Sequence, residues 1–358
     1  MKILVIQQKM IGDVLTSSVI FEALRMRFPE AELHYMIQPH TRAVVENNPF
    51  IDRVILFEPK KNNSLLGFVK FIRALRKEGY DLVIDVYSKI GTAILSWFSG
   101  ASTRISYQKW YTTLAYSNSV ERKADPETEA GLAIEHRMAL LQPLGCQLPQ
   151  IIRPKIYLSQ EENEQARIQL LQAHVSLEKP LVMTNILGSS PAKTYPVVYM
   201  SRLLDFIAAR DGMQILFNYI PAQKDLARQV YKACLPATQE QILFDVFGTS
   251  LRSFMAITAQ CDALIGNEGG AINMAKALNV PTFAIFSPQI EKKTWSLFED
   301  GLQNVSVHLS EFQQERLKNK SAGHLKKNSK FYYKDFKPEF FFPKLQAFLD
   351  HHLKKKVE

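Results

Sequence analysis

The sequence predicts an α/β protein made of two doubly wound parallel-sheet units. Three observations predict it. Short apolar runs at 3–6, 180–185 and 263–265 read as strands buried on both faces. Stretches of helical periodicity alternate with such runs, as in repeated βαβ units. The alternation pauses near 148–178, where Pro149 and Pro154 mark a linker, and then starts again.

In chain order, 3–6 is the first strand, and Gly12 and Asp13 lie where it runs into a helix over 14–28 that ends before Pro29. Strands follow at 33–37 and 53–57, with a helix at 40–47 between them. The helix at 65–77 carries Leu65, Phe68, Phe71, Ile72 and Leu75 on one side. A strand at 82–85, a helix at 90–99 and a short strand at 103–106 continue the pattern. Residues 110–126 mix aromatic and basic side chains without a regular period; a helix spans 129–144. A polar helix at 161–174 lies beyond the linker.

The second unit opens with the strand 180–185 and a loop, 186–196, holding Ser189 and Lys193. Helices at 197–210, 223–234 and 251–261 and a strand at 214–218 follow. The stretch 263–288 then reads as strand, glycine turn (266–270), helix (271–278) and strand (281–286). Residues 313–330 are polar and basic, 331–342 are aromatic, and 343–353 form a last helix before Lys354, Lys355 and Lys356.

Composition narrows the function. The net charge is +9, from 44 Lys and Arg against 35 Asp and Glu, which favours acidic partners such as phosphorylated substrates, nucleic acid or an anionic membrane face. No nucleic-acid recognition motif accompanies the charge. The three cysteines, Cys146, Cys234 and Cys261, form no CxxC pair, which argues against a zinc site or disulfide framework and fits a reducing cytoplasm. The apolar start is too short for a signal peptide, and no run approaches a membrane span. There is no GxGxxG fingerprint.

The glycine turn of 266–270 leads into a helix N-terminus, whose free amides and positive dipole end suit a phosphate. An ordinary crossover with glycines for packing explains the same residues. Asp13 is open to two readings of its own, as a helix cap or as a functional carboxylate at the ligand edge of a sheet. Lys193 is either a solvated lysine or a cation beside a ligand.

Three segments resemble glycosyltransferase family 9, the ADP-heptose:lipopolysaccharide heptosyltransferases. They are ILVIQQKMIGDVLTSSVIFEALRMRFPEAELHYMI, LGSSPAKTYP and FGTSLRSFMAITAQCDALIGNEGGAINMAKALNVPTFAIFSP. The resemblance implies the GT-B fold: two Rossmann-like domains facing across a cleft, an acceptor domain over 1–160, a nucleotide-sugar domain over 178–330, and a C-terminal segment, 331–358, packing back across them. It implies inverting, metal-independent transfer of heptose, without a cofactor, from a nucleotide-diphosphate sugar such as ADP-heptose to an anionic lipid-linked glycan at the inner face of the cytoplasmic membrane.

Such transfer needs a base for the acceptor hydroxyl, groups that hold the leaving diphosphate, and exclusion of water. By the resemblance Asp13 is the base, and Lys193 the main cation for the diphosphate. A free aspartate, with a pKa of about 4, serves if the hydroxyl acidifies only as the sugar departs. Thr184, Asn185 and Ser189 flank Lys193, and Gly269, Gly270 and Ala271 offer backbone amides. Glu268, Gly269 and Asn273 stand where relatives carry Asp, Ser or Thr, and His. Gln223 replaces an acidic residue after the strand 214–218. The acceptor side draws on Gly12, Lys89, Arg104, Lys109 and Arg122, with Trp110, Tyr111 and Lys123 nearby. Two other readings remain open: a relative that binds sugar nucleotide or glycan without turnover, and a sugar-nucleotide epimerase of the same fold.

Overall fold

The structure, a computed structural model, describes residues 1–145 and 152–353. Cys146, Pro149 and the lysines 354–356 lie outside the described residues. The chain divides into two compact units, Met1–Tyr157 and Leu158–Glu358.

In the first unit the strands are β1 (Lys2–Ile6), β2 (Glu32–Ile37), β3 (Arg53–Leu56), β4 (Leu82–Asp85), β5 (Thr103–Tyr107) and β6 (Asn118–Val120). They form one parallel sheet in the order β3-β2-β1-β4-β5-β6. The order reverses between β1 and β4, and in open α/β sheets ligands bind outside the carboxyl ends of strands at such a point. Leu4, Ile6, Met36 and Val83 are fully buried there, and the helix Leu65–Lys77 lays Phe68, Phe71 and Ile72 against this core. Ser64 caps that helix by accepting from the Gly67 amide at 3.1 Å.

The second unit contains β7 (Leu181–Asn185), β8 (Gln214–Phe217), β9 (Ala263–Asn267), β10 (Thr282–Ile285) and β11 (Asn304–Val307). Its sheet is parallel, in the order β11-β10-β9-β7-β8, and reverses between β7 and β9. The helix Gln160–Gln172, assigned by sequence to neither domain, belongs to this unit. Glu162 on it takes two bonds from Arg252, at 2.6 and 2.5 Å, and these hydrogen bonds hold its carboxyl down at about 2.

Several expectations are revised. The helix read over 14–28 is two, Ile11–Ser17 and Val19–Arg27. The Thr16 hydroxyl donates to Gly12 O, Ser17 to Asp13 O and Ser18 to Leu15 O, and such back-bonding competes with the regular ladder. The segment read as a helix over 40–47 is a 3₁₀ turn, Pro39–Val44, followed by Asn47 at φ 61°. β6 and β11 carry no strong apolar run and were not foreseen. Gly266 and Asn267 belong to β9 rather than to the turn. A Cβ on Gly266 would stand 2.4 Å from Asn185 O, so the close approach of β9 to β7 needs glycine there.

The aromatic stretch 331–342 feeds the core, with Phe331 and Phe340 left exposed. Tyr332, Tyr333, Phe336 and Phe341 are buried with Tyr195 and Phe283, and the last helix, Phe342–His352, adds Leu345, Phe348 and Leu349. Each fully buried phenylalanine contributes about 2–3 kcal/mol of transfer free energy. The more polar stretch before it forms short helices, Gln314–Leu317 and Ala322–Lys327.

Candidate active site

In the first unit the turn after β1 delivers Asp13 as the third residue of the helix Ile11–Ser17. Asp13 is therefore not the capping residue; it reaches back toward the Met10 amide, at 3.4 Å. Arg137 Nη2 donates to Asp13 Oδ1 at 2.9 Å, and Arg137 Nε to Ser17 Oγ at 2.8 Å. The Arg137 side chain is 7% exposed and that of Asp13 28%, so the pair is anchored from the protein side and open on the carboxylate side. Tyr35, fully buried beneath, donates to Val14 O at 2.8 Å, and burial drives its phenol well above the ordinary range.

Across the strand-order reversal, β4 ends in Asp85, which is fully buried. Tyr116 Oη donates to Oδ2 at 2.7 Å and the Ser88 amide to Oδ1 at 2.8 Å. Burial nevertheless pushes the Asp85 carboxyl up to about 6. Lys109 Nζ donates to Ser88 O at 2.5 Å. Burial, then the neighbouring charges of Arg122 and Lys89, push the Lys109 ammonium below its usual range. Lys89, Lys109 and Arg122 are thus brought together at this edge. Arg122 also lies over the Tyr107 ring, at 4.0 Å.

Arg104 is placed elsewhere. It sits near the opposite end of β5, where its guanidinium donates to Ala101 O and Ala115 O at 2.5 and 2.9 Å. Lys123 pairs with Glu127 at 2.5 Å. Gly12 is in the first turn of the Asp13 helix, and its carbonyl accepts from Thr16.

In the second unit two turns meet at the reversal between β7 and β9. The loop after β7 is tied to β9 by Tyr195 N donating to Asn267 Oδ1 at 2.7 Å. Ala192 O accepts from Ser287 Oγ after β10, at 2.9 Å. This loop closes tightly on itself, with Gly188 N donating to Thr194 Oγ1 at 3.1 Å. Lys193 is half-buried on it, close enough to Glu268 for its charge to oppose the rise of that carboxyl. Burial is the larger effect and raises Glu268, whose Oε2 is enclosed without a hydrogen-bond partner.

Gly269 follows at φ 155°, a conformation open to glycine. The helix Gly270–Ala277 starts there, and its first internal bond is Asn273 N to Gly269 O at 3.2 Å. The amides of Gly270, Ala271 and Ile272 precede that bond and have no acceptor within the helix. Asn273 is buried in the helix's second turn. Lys193, Glu268 and these amides therefore converge on one edge, where a cation and unpaired helix-terminal amides have the chemistry to receive an anionic group.

Thr184 and Asn185 lie behind this edge. The Thr184 hydroxyl donates to Leu216 O at 2.8 Å, and Asn185 Nδ2 to Asn267 O at 2.6 Å. Both side chains hold the frame. Ser189 and Gln223 line a mostly apolar cavity of about 580 Å³ with Pro191, Tyr195 and Tyr333. Gln223 also accepts from the Ile220 amide at 3.2 Å. Tyr333 joins the cavity to the turn, since the Glu268 charge reaches its phenol.

Arg137 and Asp85 were missed from sequence. Arg137 had a readable signal, because Ile134, Arg137 and Met138 lie on one buried face of the helix Leu132–Ala139, an inward position for a cation. Asp85 ends an otherwise apolar buried strand. Among the described residues no group of three or more His, Cys, Asp or Glu could hold a metal ion, and no helix is long and apolar enough to cross a membrane.

Against known proteins, the sequence profile of Glycosyltransferase family 9 (heptosyltransferase) matches residues 68–326. That span holds Lys193 and the glycine turn, and Asp13 lies ahead of it. Lipopolysaccharide heptosyltransferase 2 of Escherichia coli strain K12 is 24% identical over 299 residues, covering 80% of this chain and 83% of the relative. A solved glycosyl transferase family 9 structure from Veillonella parvula superposes with a TM-score of 0.75 at 20% identity, covering 93% of this chain and 97% of that one. The E. coli ADP-heptose lps heptosyltransferase II structure gives a TM-score of 0.68 at 18% identity, covering 94% and 99%. The solved structures bear out the fold class of two doubly wound parallel-sheet units, of GT-B kind.

Proposed function

The chain belongs to glycosyltransferase family 9, the heptosyltransferase family, and from that premise we propose that it transfers heptose from ADP-heptose to a lipopolysaccharide core or related lipid-linked glycan. Its activity is that of a glycosyltransferase. The donor, the acceptor and the roles below are the proposal. On this reading the enzyme works at the inner face of the cytoplasmic membrane, where a lipid-linked acceptor would be anchored.

One observation carries the reading: Lys193 and the free amides of the helix Gly270–Ala277 meet beside Glu268 at the strand-order reversal of the second unit. A leaving nucleoside diphosphate gains negative charge as its bond to the sugar breaks, and a lysine with aligned amides stabilises that charge. Asp13 is the base. The acceptor oxygen attacks the anomeric carbon, its proton passes to the Asp13 carboxylate, and the sugar–diphosphate bond breaks with its electron pair leaving on the nucleotide. A single displacement of this kind inverts the anomeric configuration. Arg137 positions Asp13 through Oδ1, and Oδ2 makes the long contact to the Met10 amide. Lys89, Lys109 and Arg122 meet the acceptor's anionic groups. No divalent cation enters this scheme, so a chelator should leave the rate unchanged.

The test is a thermal-shift panel of ADP-, GDP-, UDP- and dTDP-sugars, followed by transfer with the preferred donor. A selective shift with ADP-heptose is expected, and a product inverted at the anomeric carbon by NMR. Preference for another nucleotide would redirect the donor assignment. Binding without transfer to any glycan acceptor would reduce the protein to a sugar-nucleotide binder.

A further inference from the structure

The helix Ile90–Phe98 in the first unit is apolar on two faces. Ala93 and Leu95 face inward and are buried. Ile90, Ile94, Trp97 and Phe98 are exposed, at 62, 38, 50 and 47%. The loop after β5 adds Trp110 and Leu114, 92 and 90% exposed, and Tyr111 stacks edge-on against Trp110 at 5.5 Å. Together they line one open depression of about 380 Å³. A helix apolar all round belongs in a core, and a continuous exposed apolar patch of this kind marks an interaction surface.

Cations border the patch. Lys89 immediately precedes Ile90, and Lys109 immediately precedes Trp110. Arg104 lies over the Trp97 ring at 5.3 Å. Arg122 is close enough to Lys109 for the two charges to oppose each other. Exposed tryptophan, tyrosine and long aliphatic side chains ringed by Lys and Arg are the chemistry of a bilayer interface, where amphipathic rings sit at headgroup level and cations meet anionic lipid. A second copy of the chain fits poorly, because a two-fold contact on this patch would set its cations against their own copies.

The geometry points to this patch as a docking surface for an anionic lipid bilayer, with Trp110 and Leu114 entering the headgroup region and the bordering cations set against its anionic face. The inference deepens the proposed function and rests on its lipid-linked acceptor. Both the acceptor cations and the patch belong to the first unit, so docking brings the Lys89–Lys109–Arg122 edge to the membrane where such an acceptor is anchored.

The experiment is co-sedimentation of the full chain with vesicles of about one-third phosphatidylglycerol in phosphatidylcholine, against pure phosphatidylcholine vesicles, over a salt series, with no donor or acceptor present. Anionic vesicles should bind roughly tenfold or more tightly, with binding weakened by salt. Tryptophan fluorescence should shift to the blue as Trp97 and Trp110 leave water. The double variant Trp110→Ser/Leu114→Ser should lose roughly tenfold or more of the vesicle affinity, since it removes two inserted side chains. Its melting temperature should stay unchanged, and Leu114→Ser alone should weaken vesicle binding while leaving the transfer rate to a soluble, delipidated acceptor unchanged. Equal binding by the double variant, or no preference for anionic vesicles, overturns the proposal. So does a wild-type dimer in solution that the double variant abolishes, which would make the patch a self-association surface. Failure of transfer to the soluble acceptor by both proteins, with vesicle binding intact, would count against the proposed function and leave the docking surface standing.

Discussion

At the strand-order reversal of the first unit, the turn after β1 presents a carboxylate gripped by a buried guanidinium. At the corresponding reversal of the second, the turn after β9 presents Gly269, with no side chain at all, and a row of free amides. On the proposed mechanism the first turn works through one side chain whose direction is fixed by another. The second does it through backbone, with Lys193 supplied from the neighbouring loop. A proton acceptor must be a particular atom in a particular place, and only a side chain supplies it. A spreading diphosphate charge needs several donors at once, and backbone supplies those whatever the residues are. The resemblance implies that Glu268, Gly269 and Asn273 depart from the family's usual residues, and a row of backbone donors tolerates such departures.

The sharpest way to break the comparison is to remove the side chain on which the first turn depends. Asp13→Asn should lower the transfer rate by about 10²–10⁴-fold, while isothermal titration with the sugar nucleotide shows little change in affinity. A loss of nucleotide binding instead would mean that Asp13 serves the donor. Next in size, Lys193→Met should lower kcat by about 10²–10³-fold, the scale of removing one stabiliser of developing charge. It should also weaken nucleotide binding in the same titration. If only Lys193 matters and phosphate binding survives a Gly270→Pro change that removes an amide, the backbone half of the site is wrong.

A third test concerns the buried carboxylate beside the first turn. Asp85 titrates at about 6 in the folded chain because it is desolvated, and near 4 when unfolded. Between those values the unfolded chain releases its proton while the folded chain keeps it. Stability should therefore fall as pH rises from about 4 to about 6, by about 3 kcal/mol from this group. Urea unfolding across that range should show the decline, and Asp85→Asn should flatten it. The smallest effect separates two glycines. Gly266→Ala puts a Cβ 2.4 Å from Asn185 O, whereas Gly269→Ala meets nothing within 4 Å. The first should cost about 3 kcal/mol and the second about 1, because only backbone strain is at stake there. Thermal unfolding of the two variants measures the difference.

Much of this was legible from residues alone. The runs at 3–6, 82–85 and 180–185 became β1, β4 and β7 because continuous apolar segments can only be buried on both faces. Helix 65–77 was read to the residue because its apolar positions repeat at helical spacing, and in the structure Ser64 caps it. β6 and β11 were not legible: Asn118–Val120 and Asn304–Val307 interrupt their valines with Asn and Ser, so neither carries the continuous apolar run that marks β1 or β4. In the site, the positions of Asp13 and Lys193 followed from where strands end. Arg137 was missed because it is 124 residues from Asp13 in the chain, and periodicity says nothing about partners so distant. Arg104 was drawn to the acceptor side by its charge, but charge does not say which end of a strand a residue occupies. Thr184 and Asn185 were assigned by residue type, and their bonding follows from a strand packed on both sides.

The buried aromatic segment near the C-terminus also bears on how the protein is made. Tyr195, which follows the Lys193 loop, donates through its hydroxyl to Phe336 O, 141 residues later. At roughly 5–20 residues per second of synthesis, on the order of ten seconds or more pass between these two residues leaving the ribosome. During that interval the first unit has its whole sequence available, while the second lacks Tyr333, Phe336 and Phe341 from its core. The proposed acceptor half can mature early, and the proposed donor half sets only when the last stretch is translated. A nascent chain would thus acquire its grip on the nucleotide as one of its final acts of folding.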